Sequence, residues 1–407
     1  MYKKYSRQIN IIEREFLNRT PVLVYSESIL ADKCVAISQP IVEHAQGKLY
    51  YPLKANYDPT LLRVMARNGI DGMEVMSPME LSHVRSLFGR RLPIIYSGIS
   101  PSIQALRDLD PDQDLLVINS LADAIALKQH CVHRPRIKVL LRISFPKIDS
   151  TIGYNSTTGK LGIIAYSPEM FQVLDVLANC DTVELSGIHS HQLIHQKTST
   201  RYLQLMDELA RLCVTVEQLT NFQLETIDIG GGLESLDTAR TATIVTEIAS
   251  AFTQKLPSRN LIFEPGRAIT NSCGIIATRV LSTRSRKLQH FCFVDAGTNL
   301  LVPTTSKRHM VIQDESAFVG RPINVTFADR ILSPVNTIVD NVRMDHLPKP
   351  GDFVLFGNCG AYTTSLEHQW CQPLHQVYLL DLWERIHPLV SEENTTLAWE
   401  NRYGVPR

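Results

Sequence analysis

Between about residue 48 and residue 265, short apolar runs rich in β-branched residues alternate with longer stretches in which apolar positions recur at helical spacing. Eight such runs occur: KLYYPLK (48–54), IDGMEVM (70–76), PIIYSG (93–98), LLVINS (115–120), IKVLLRIS (137–144), VELSGIHSH (183–191), LETIDIGGG (224–232) and NLIFEPGR (260–267). The intervening helical segments include SPMELSHVRSLF, SLADAIALKQHC, SPEMFQVLDVLANC and RYLQLMDELARLCVTVEQL. Eight strand–helix units in series predict an α/β fold, a (β/α)8 TIM barrel, over residues 26–267. From about residue 268 the pattern changes to strand-like runs between turn residues: AITNSCGIIATRVL, HFCFVDAG, PINVTFA, GDFVLFG and QVYLLDLW. Residues 268–407, joined by 1–25, are therefore expected to form an all-β sandwich or barrel domain.

A chain of 407 residues favours two domains over one. With 44% hydrophobic and 20% charged residues and a net charge of +0, neither disorder nor a polyelectrolyte surface is indicated, and nucleic acid is not an expected partner. Cysteines stand at 34, 131, 180, 213, 273, 292, 359 and 371, without a Cys-x-x-Cys pair or a Cys/His cluster at zinc spacing. That distribution predicts reduced thiols in a cytoplasm and no structural metal. The N-terminus lacks an apolar signal core and no run of 18 uninterrupted apolar residues occurs, so the chain is expected to be soluble and free of the membrane.

In barrels of this kind the reactive groups sit at the C-terminal ends of the strands. The ends of the eight runs offer Lys54, Glu74, Ser97, Asn119, Arg142 with Ser144, His189 with His191, Gly230-Gly231-Gly232, and Glu264 with Arg267. Lys54 closes an apolar run, where desolvation lowers an amine's pKa toward the nucleophilic range; the other reading is a lysine snorkelling out of a strand end. The three glycines allow a tight loop whose amides point at an anion, and phosphate sites in barrels commonly follow strands seven and eight, where Gly266 and Arg267 stand. The loop fits neither G-x-G-x-x-G nor a P-loop, which argues against a dinucleotide or nucleoside triphosphate. Glu264 puts a carboxylate in the barrel mouth, to be matched by a pyridinium nitrogen or by Arg267 or Arg142. His189 and His191, two apart on one strand, share a face; stacking or proton relay ranks above metal binding because no third ligand appears at a recognisable spacing.

YYPLKAN, DGMEVMSPMEL, GKLGI, GIHSH, DIGGG, EPGR and GAYT, in this order, resemble the motifs of fold-type III pyridoxal-phosphate decarboxylases, the family of the diaminopimelate, ornithine and arginine decarboxylases, over residues 20 to 380. The resemblance implies an alanine racemase-like barrel plus a β domain, pyridoxal 5'-phosphate as cofactor, and loss of the α-carboxylate of an amino acid or amino-acid conjugate. It implies Lys54 as the Schiff-base lysine with Glu74 close by, and His191 on the cofactor ring. Glu264 would lie at the ring nitrogen, with Gly230 to Gly232, Gly266, Arg267 and Tyr362 on the phosphate. Arg142 would lie with them in the cofactor site. It also implies a head-to-tail homodimer with shared active sites. An amino-acid racemase is the rival enzyme, although racemases of this fold resemble one another in placing arginine where Glu264 stands. A non-catalytic pyridoxal-phosphate carrier is the rival binding protein, although such carriers are lone barrels.

The sequence departs from the family where substrate is held. The expected G-P-x-C-E/D-x-x-D segment reads Ala328 to Val335 without the cysteine or the acidic residue. Ile194 replaces a phosphate-side serine, with Gln192 and His195 nearby, and TNLLVPTTSKRH lacks an Arg-Pro pair. Lysine, ornithine and diaminopimelate are thereby doubtful substrates. Arg330 is the candidate for holding a distal carboxylate, against an ordinary surface or interface arginine. Cys359 is the candidate acid that returns a proton to the substrate carbon, against a buried packing residue.

Overall fold

The alternation of apolar runs and helical segments resolves, in a computed structural model, into two compact units: residues 32–268, and residues 1–31 with 269–407. Residues 2–130, 136–148, 160–287, 289–301, 309–334, 336–372 and 374–403 are described. Strand β1 (Val22–Ser26) belongs to the second unit. In the first unit follow β2 (Lys48–Pro52), β3 (Gly72–Val75), β4 (Ile94–Tyr96), β5 (Leu115–Ile118), β6 (Ile137–Ser144), the short β7 (Ile163–Ile164), β8 (Val183–His189), β9 (Thr226–Asp228) and β10 (Asn260–Phe263). Pairing runs β5-β4-β3-β2-β10-β9-β8-β6 and closes through β5 and β6, all parallel, giving an eight-stranded barrel with β7 beside β6.

Buried on both faces, these strands read as continuous apolar runs instead of alternating ones. Tyr50, Ile95, Leu115, Val117, Leu140 and Ile262 form one buried cluster. Three of the outer helices start alike, because Asp58, Ser77 and Ser167 each accept a hydrogen bond from a backbone amide of the first turn and each is followed by proline at the first helical position. Such a cap is worth about 1 kcal/mol, and proline loses nothing where no intrahelical partner exists. These three helices thus begin at fixed, capped starts close to the barrel rim.

The runs continue past the strands. β2 stops at Pro52, and Lys54 sits in a single 3-10 turn, Leu53–Ala55, instead of ending the strand. Likewise His191, Gly230 to Gly232 and Arg267 lie in loops or turns after β8, β9 and β10. The ladder ends where side chains cease to be apolar on both faces.

The second unit is a mixed nine-stranded sheet of β1, β11 (Gly274–Arg286), β12 (Gln289–Val294), β13 (Met310–Val311), β14 (Ile323–Ala328), β15 (Thr337–Met344), β16 (Phe353–Gly357), β17 (Gln376–Leu380) and β18 (Ile386–Val390). β1 lies between β11, antiparallel, and β17, parallel. The long β11 also pairs with β12 and β16, with a bulge between Val280 and Ser282. Two helices that the strand pattern does not predict join this unit, Tyr2–Phe16 and Glu392–Tyr403. The first buries Tyr5, Ile9, Ile12 and Phe16 at helical spacing, and the Phe16 ring meets Tyr378 at 4.7 Å. Among the described residues no helix is long and apolar enough to cross a membrane.

Candidate functional site

Lys54 is held by its neighbour on the adjacent strand. Its Nζ donates to Glu74 Oε2 at 3.0 Å and to Oε1 at 3.3 Å, and Ser97 Oγ at the end of β4 donates to Oε1 as well. Glu74 is buried, whereas the Lys54 side chain keeps 28% of its surface. The expected desolvated lysine is thus replaced by a half-open ion pair, because β2 and β3 bring Pro52 and Glu74 into register. The two contacts fix the position of the amine.

Behind them lies a buried cluster of ionisable groups. Glu264, one residue past β10, places Oε2 3.6 Å from His189 Nε2 and 3.6 Å from His191 Nδ1, and both its oxygens are buried without a hydrogen-bond partner. The carboxylate meets the two histidines, so the alternative of a pair with Arg142 or Arg267 does not hold. Burial alone would push Glu264 up, but the two imidazoles hold it well below the usual carboxylate range. Asp228, at the end of β9, goes the other way: burial and then repulsion by Glu264 push it well above that range, so it is a neutral acid, with Oδ1 accepting from Gly230 N at 2.8 Å. His189 is driven down to about 4, first by burial, and His191 is lowered as well. Arg142, on β6, donates to His191 O at 3.4 Å. His189, His191 and Glu264 also offer ligand atoms within 4.8 Å of one another, so Glu264 is the convergent third group that strand spacing did not reveal.

A pH dependence of stability follows. Unfolded, His189 takes up its proton near 6.5, and folded near 4, so in between the unfolded chain binds more protons. Stability is full above about pH 6.5 and falls as pH drops toward 4, by up to ~1.4 kcal/mol per pH unit for this site. His189→Gln is expected to flatten that slope in urea titrations run from about pH 7 down to about pH 5; a slope equal to that of the wild type would assign it to other groups.

The glycine loop follows β9. Gly230 and Gly232 have φ of 64° and 93°, and a Cβ on Gly231 would stand 2.2 Å from Glu264 O, so side chains are excluded from all three positions. Gly231 N donates to His191 Nδ1 at 3.3 Å, and Tyr202 Oη donates to Gly231 O at 2.9 Å. Arg267 reaches this end of the rim, where its Nη1 lies 2.8 Å from His195 Nδ1 and 3.7 Å from Glu234 Oε2. Gln192 pins the chain after β6 through Phe145 N, Phe145 O and Ile148 O.

Pyridoxal 5'-phosphate fits this donor set. The orphaned oxygens of Glu264 await a donor such as a protonated ring nitrogen, and the bare glycine backbone with Arg267 offers an anion cradle at the rim position barrels use for phosphate. Asp228, His195 and Glu234 were not singled out as site residues from the sequence. The aspartate was visible inside DIGGG, but nothing in spacing places Glu234 against His195.

The remaining candidates lie in the second unit. Cys359 is fully buried, its Sγ bonded to Phe356 O and Gly357 O and 3.4 Å from His309 Nδ1. β16 ends before it, at Gly357, and the thiol is enclosed among these groups. Tyr362 is half-buried with φ 56°. Arg330 is exposed and borders a cavity of about 210 Å³ with Thr20, Asp295 and His375. Asp295 is occupied by Thr20 Oγ1 at 2.6 Å and Arg279 N at 3.0 Å, and burial with Arg330 pushes His375 down to about 3. Val335, residues 302–308 of TNLLVPTTSKRH, Gly159 of GKLGI and Cys131 lie outside the described residues; the seven described cysteines are free thiols.

Comparison with known proteins places these features in a lineage. The family described as pyridoxal-dependent decarboxylase, pyridoxal binding domain, matches residues 31–271. The diaminopimelate decarboxylase of Haemophilus influenzae is 26% identical, over 86% of this chain and 85% of that protein. That of Bacteroides thetaiotaomicron is 25% identical over 89% and 96%. Among solved structures, the diaminopimelate decarboxylase of M. jannaschii in complex with L-lysine has a TM-score of 0.79 at 17% identity, covering 98% of this chain and 94% of that one. The arginine decarboxylase of Paramecium bursaria Chlorella virus gives 0.76 at 22% identity, covering 93% and 100%. At these identities the structural likeness concerns the fold.

Proposed function

The chain belongs to the pyridoxal-dependent decarboxylases, and on that premise we propose that the rim around Lys54 and Glu264 is its active site. The protein is a decarboxylase that removes the α-carboxylate of an amino acid with pyridoxal 5'-phosphate as cofactor. When bound, the cofactor supplies a conjugated ring that accepts the electron pair left on the substrate carbon as carbon dioxide departs. Lys54 Nζ is the amine that holds it, and Glu74, steadied by Ser97, positions that amine and takes or returns its proton. The Glu264 carboxylate keeps a proton on the ring nitrogen, with the neutral imidazole of His189 behind it. His191 covers the ring, and Arg142 steadies its backbone. The side-chain-free loop Gly230 to Gly232, with Gly266 and Arg267, receives the phosphate. The observation that carries the reading is the buried Glu264, neither of whose oxygens accepts a hydrogen bond.

The substrate is an amino acid whose distal end differs from that of the curated relatives. Leu332 and Val335 stand at the acidic positions of the family segment, and Asp329 within it is buried and occupied by Thr298. Arg330, for which no ion pair is present among the described residues, suits a distal carboxylate by a paired hydrogen bond. Carbon dioxide release should be measured over a panel of amino acids and their carboxylated conjugates. Release from one member is expected, with kcat/KM for it lowered by Arg330→Ala. Exchange of the α-hydrogen with solvent deuterium without release would make the protein a racemase. The working form is a homodimer in which Arg330 of one copy serves the site of the other. Mixing Lys54→Ala with Arg330→Ala subunits should then restore roughly a quarter of wild-type activity, and no restoration would confine each site to one copy.

A further inference from the structure

His195 faces a carboxylate and a guanidinium at one edge of its ring. Its Nδ1 lies 2.6 Å from Glu234 Oε2 and 2.8 Å from Arg267 Nη1, which is also 3.5 Å from Nε2. A ring nitrogen either carries a proton and donates or carries a lone pair and accepts. Arg267 can only donate, and Glu234 can only accept while ionised. Burial alone would raise its carboxyl, but the bond from His195, a backbone bond at Ser235 and the charge of Arg267 hold it below the usual range. With Nδ1–H given to Glu234, Arg267 keeps only the Nε2 lone pair at 3.5 Å, a long contact. An anion in front of Arg267 offers the guanidinium a stronger partner and leaves Nδ1–H to Glu234.

The backbone anchors this arrangement to the glycine loop. Gln196 N donates to Gly232 O and Glu234 N donates to Gln196 O, each at 2.9 Å. His195 holds a φ of 55°, which costs a non-glycine residue roughly 1–2 kcal/mol and persists only where the surroundings over-determine it. The side chains of His195, Arg267 and Glu234 are 11%, 15% and 17% exposed, so their charges act in a partly dry setting. A phosphate monoester brings about −1.5 to −2 charges, and Arg267 with Glu234 cancel one another. A further positive charge is needed.

We propose that His195 is a ligand of the cofactor phosphate: Glu234 takes Nδ1–H, and the doubly protonated ring presents Nε2–H to a phosphate oxygen beside Arg267. It does so one position beyond Ile194, where the family resemblance expects a serine hydroxyl. This rests on the reading of the glycine loop as the phosphate cradle. Glu234 and Arg267 are the charged groups that His195 faces among the described residues, so the proton taken up on binding resides within this trio.

The test compares pyridoxal 5'-phosphate with pyridoxal, which lacks the phosphate, on the full-length protein after resolution of its cofactor. His195→Gly accepts the positive φ without strain and removes the ring; Glu234→Gln keeps the ring and removes its anchor. Both are expected to weaken the phosphorylated cofactor about 10- to 100-fold, with pyridoxal changed less than about 2-fold. His195→Ser, which restores a hydroxyl donor, should lose much less affinity than His195→Gly. Calorimetry in two buffers should show proton uptake by the wild type and none by His195→Gly. Equal weakening of both ligands, or an unchanged phosphorylated-cofactor Kd in His195→Gly, overturns the proposal. A wild-type protein that binds neither compound overturns the cofactor reading itself.

Discussion

Lys54→Ala is expected to lower carbon dioxide release by roughly 10⁴-fold or more, since it removes both the covalent anchor and a group that moves protons at the reacting centre. Three other lysines of the barrel unit are ill placed to substitute. Lys33 is fully buried, with Nζ tied to Leu236 O and to Thr241 Oγ1 at 3.3 Å, while Lys48 and Lys138 belong to the opposite, N-terminal ends of β2 and β6. The variant should still take up cofactor, because the glycine loop and Arg267 are untouched, but borohydride should no longer fix it to the chain. Peptide mapping of the borohydride-treated wild type provides the check. An adduct on any other lysine, or a variant that keeps a tenth of wild-type turnover, would remove Lys54 from the mechanism.

The second large effect is expected at Glu264. Glu264→Gln keeps shape and burial but loses the negative charge that holds a proton on the ring nitrogen, and the loss of one such preorganised electrostatic contact costs roughly 10²–10³-fold in kcat. Cofactor affinity should change far less, since it is set at the phosphate end. Glu264→Ala is a different experiment. It leaves a void beside the neutral imidazole of His189, and truncating a buried side chain costs about 2–5 kcal/mol. That variant should lose both activity and thermal stability, so only the glutamine variant separates chemistry from folding. A kcat within about threefold of wild type in Glu264→Gln would show that the ring nitrogen needs no charged partner here.

What the sequence made legible was the barrel and its rim. Strands buried on both faces leave an apolar run that no surface strand shares, and the residues closing each run were polar because the rim is where the ladder ends. Run lengths misled for the same reason: KLYYPLK reads as one strand to Lys54, whereas the ladder stops at Pro52 and a turn carries the lysine to Glu74. Contacts between different strands were beyond reach. His189 and His191 were visible as a pair, but their meeting with Glu264, 73 residues beyond His191, depends on barrel closure. The Glu234, His195 and Arg267 trio was hidden because the motif deviates at that point, and a motif reader sees a missing serine, not a histidine with a left-handed backbone. For Cys359 the sequence offered two readings, a proton-returning acid and a packing residue, and its burial beyond the end of β16, at Gly357, depends on folding contacts that spacing does not show. The helix Tyr2–Phe16 was missed because its mixed charge drew attention before its buried stripe did.

The place of β1 sets a timetable for biosynthesis. Val22–Ser26 is made early, yet its parallel partner begins at Gln376, 350 residues after Ser26. At ribosomal speeds of about 5–20 residues per second, that strand waits roughly 20–70 s for its neighbour, while every residue of the barrel unit leaves the ribosome in between. The barrel is thus the part that can acquire order on the ribosome, and the nine-stranded sheet is the part that closes at release. Nascent chains stalled just before Gln376 should show protease resistance confined to the barrel unit and cleavage within the first thirty or so residues. Amino-terminal fusions should accordingly burden the final closing step far more than the barrel.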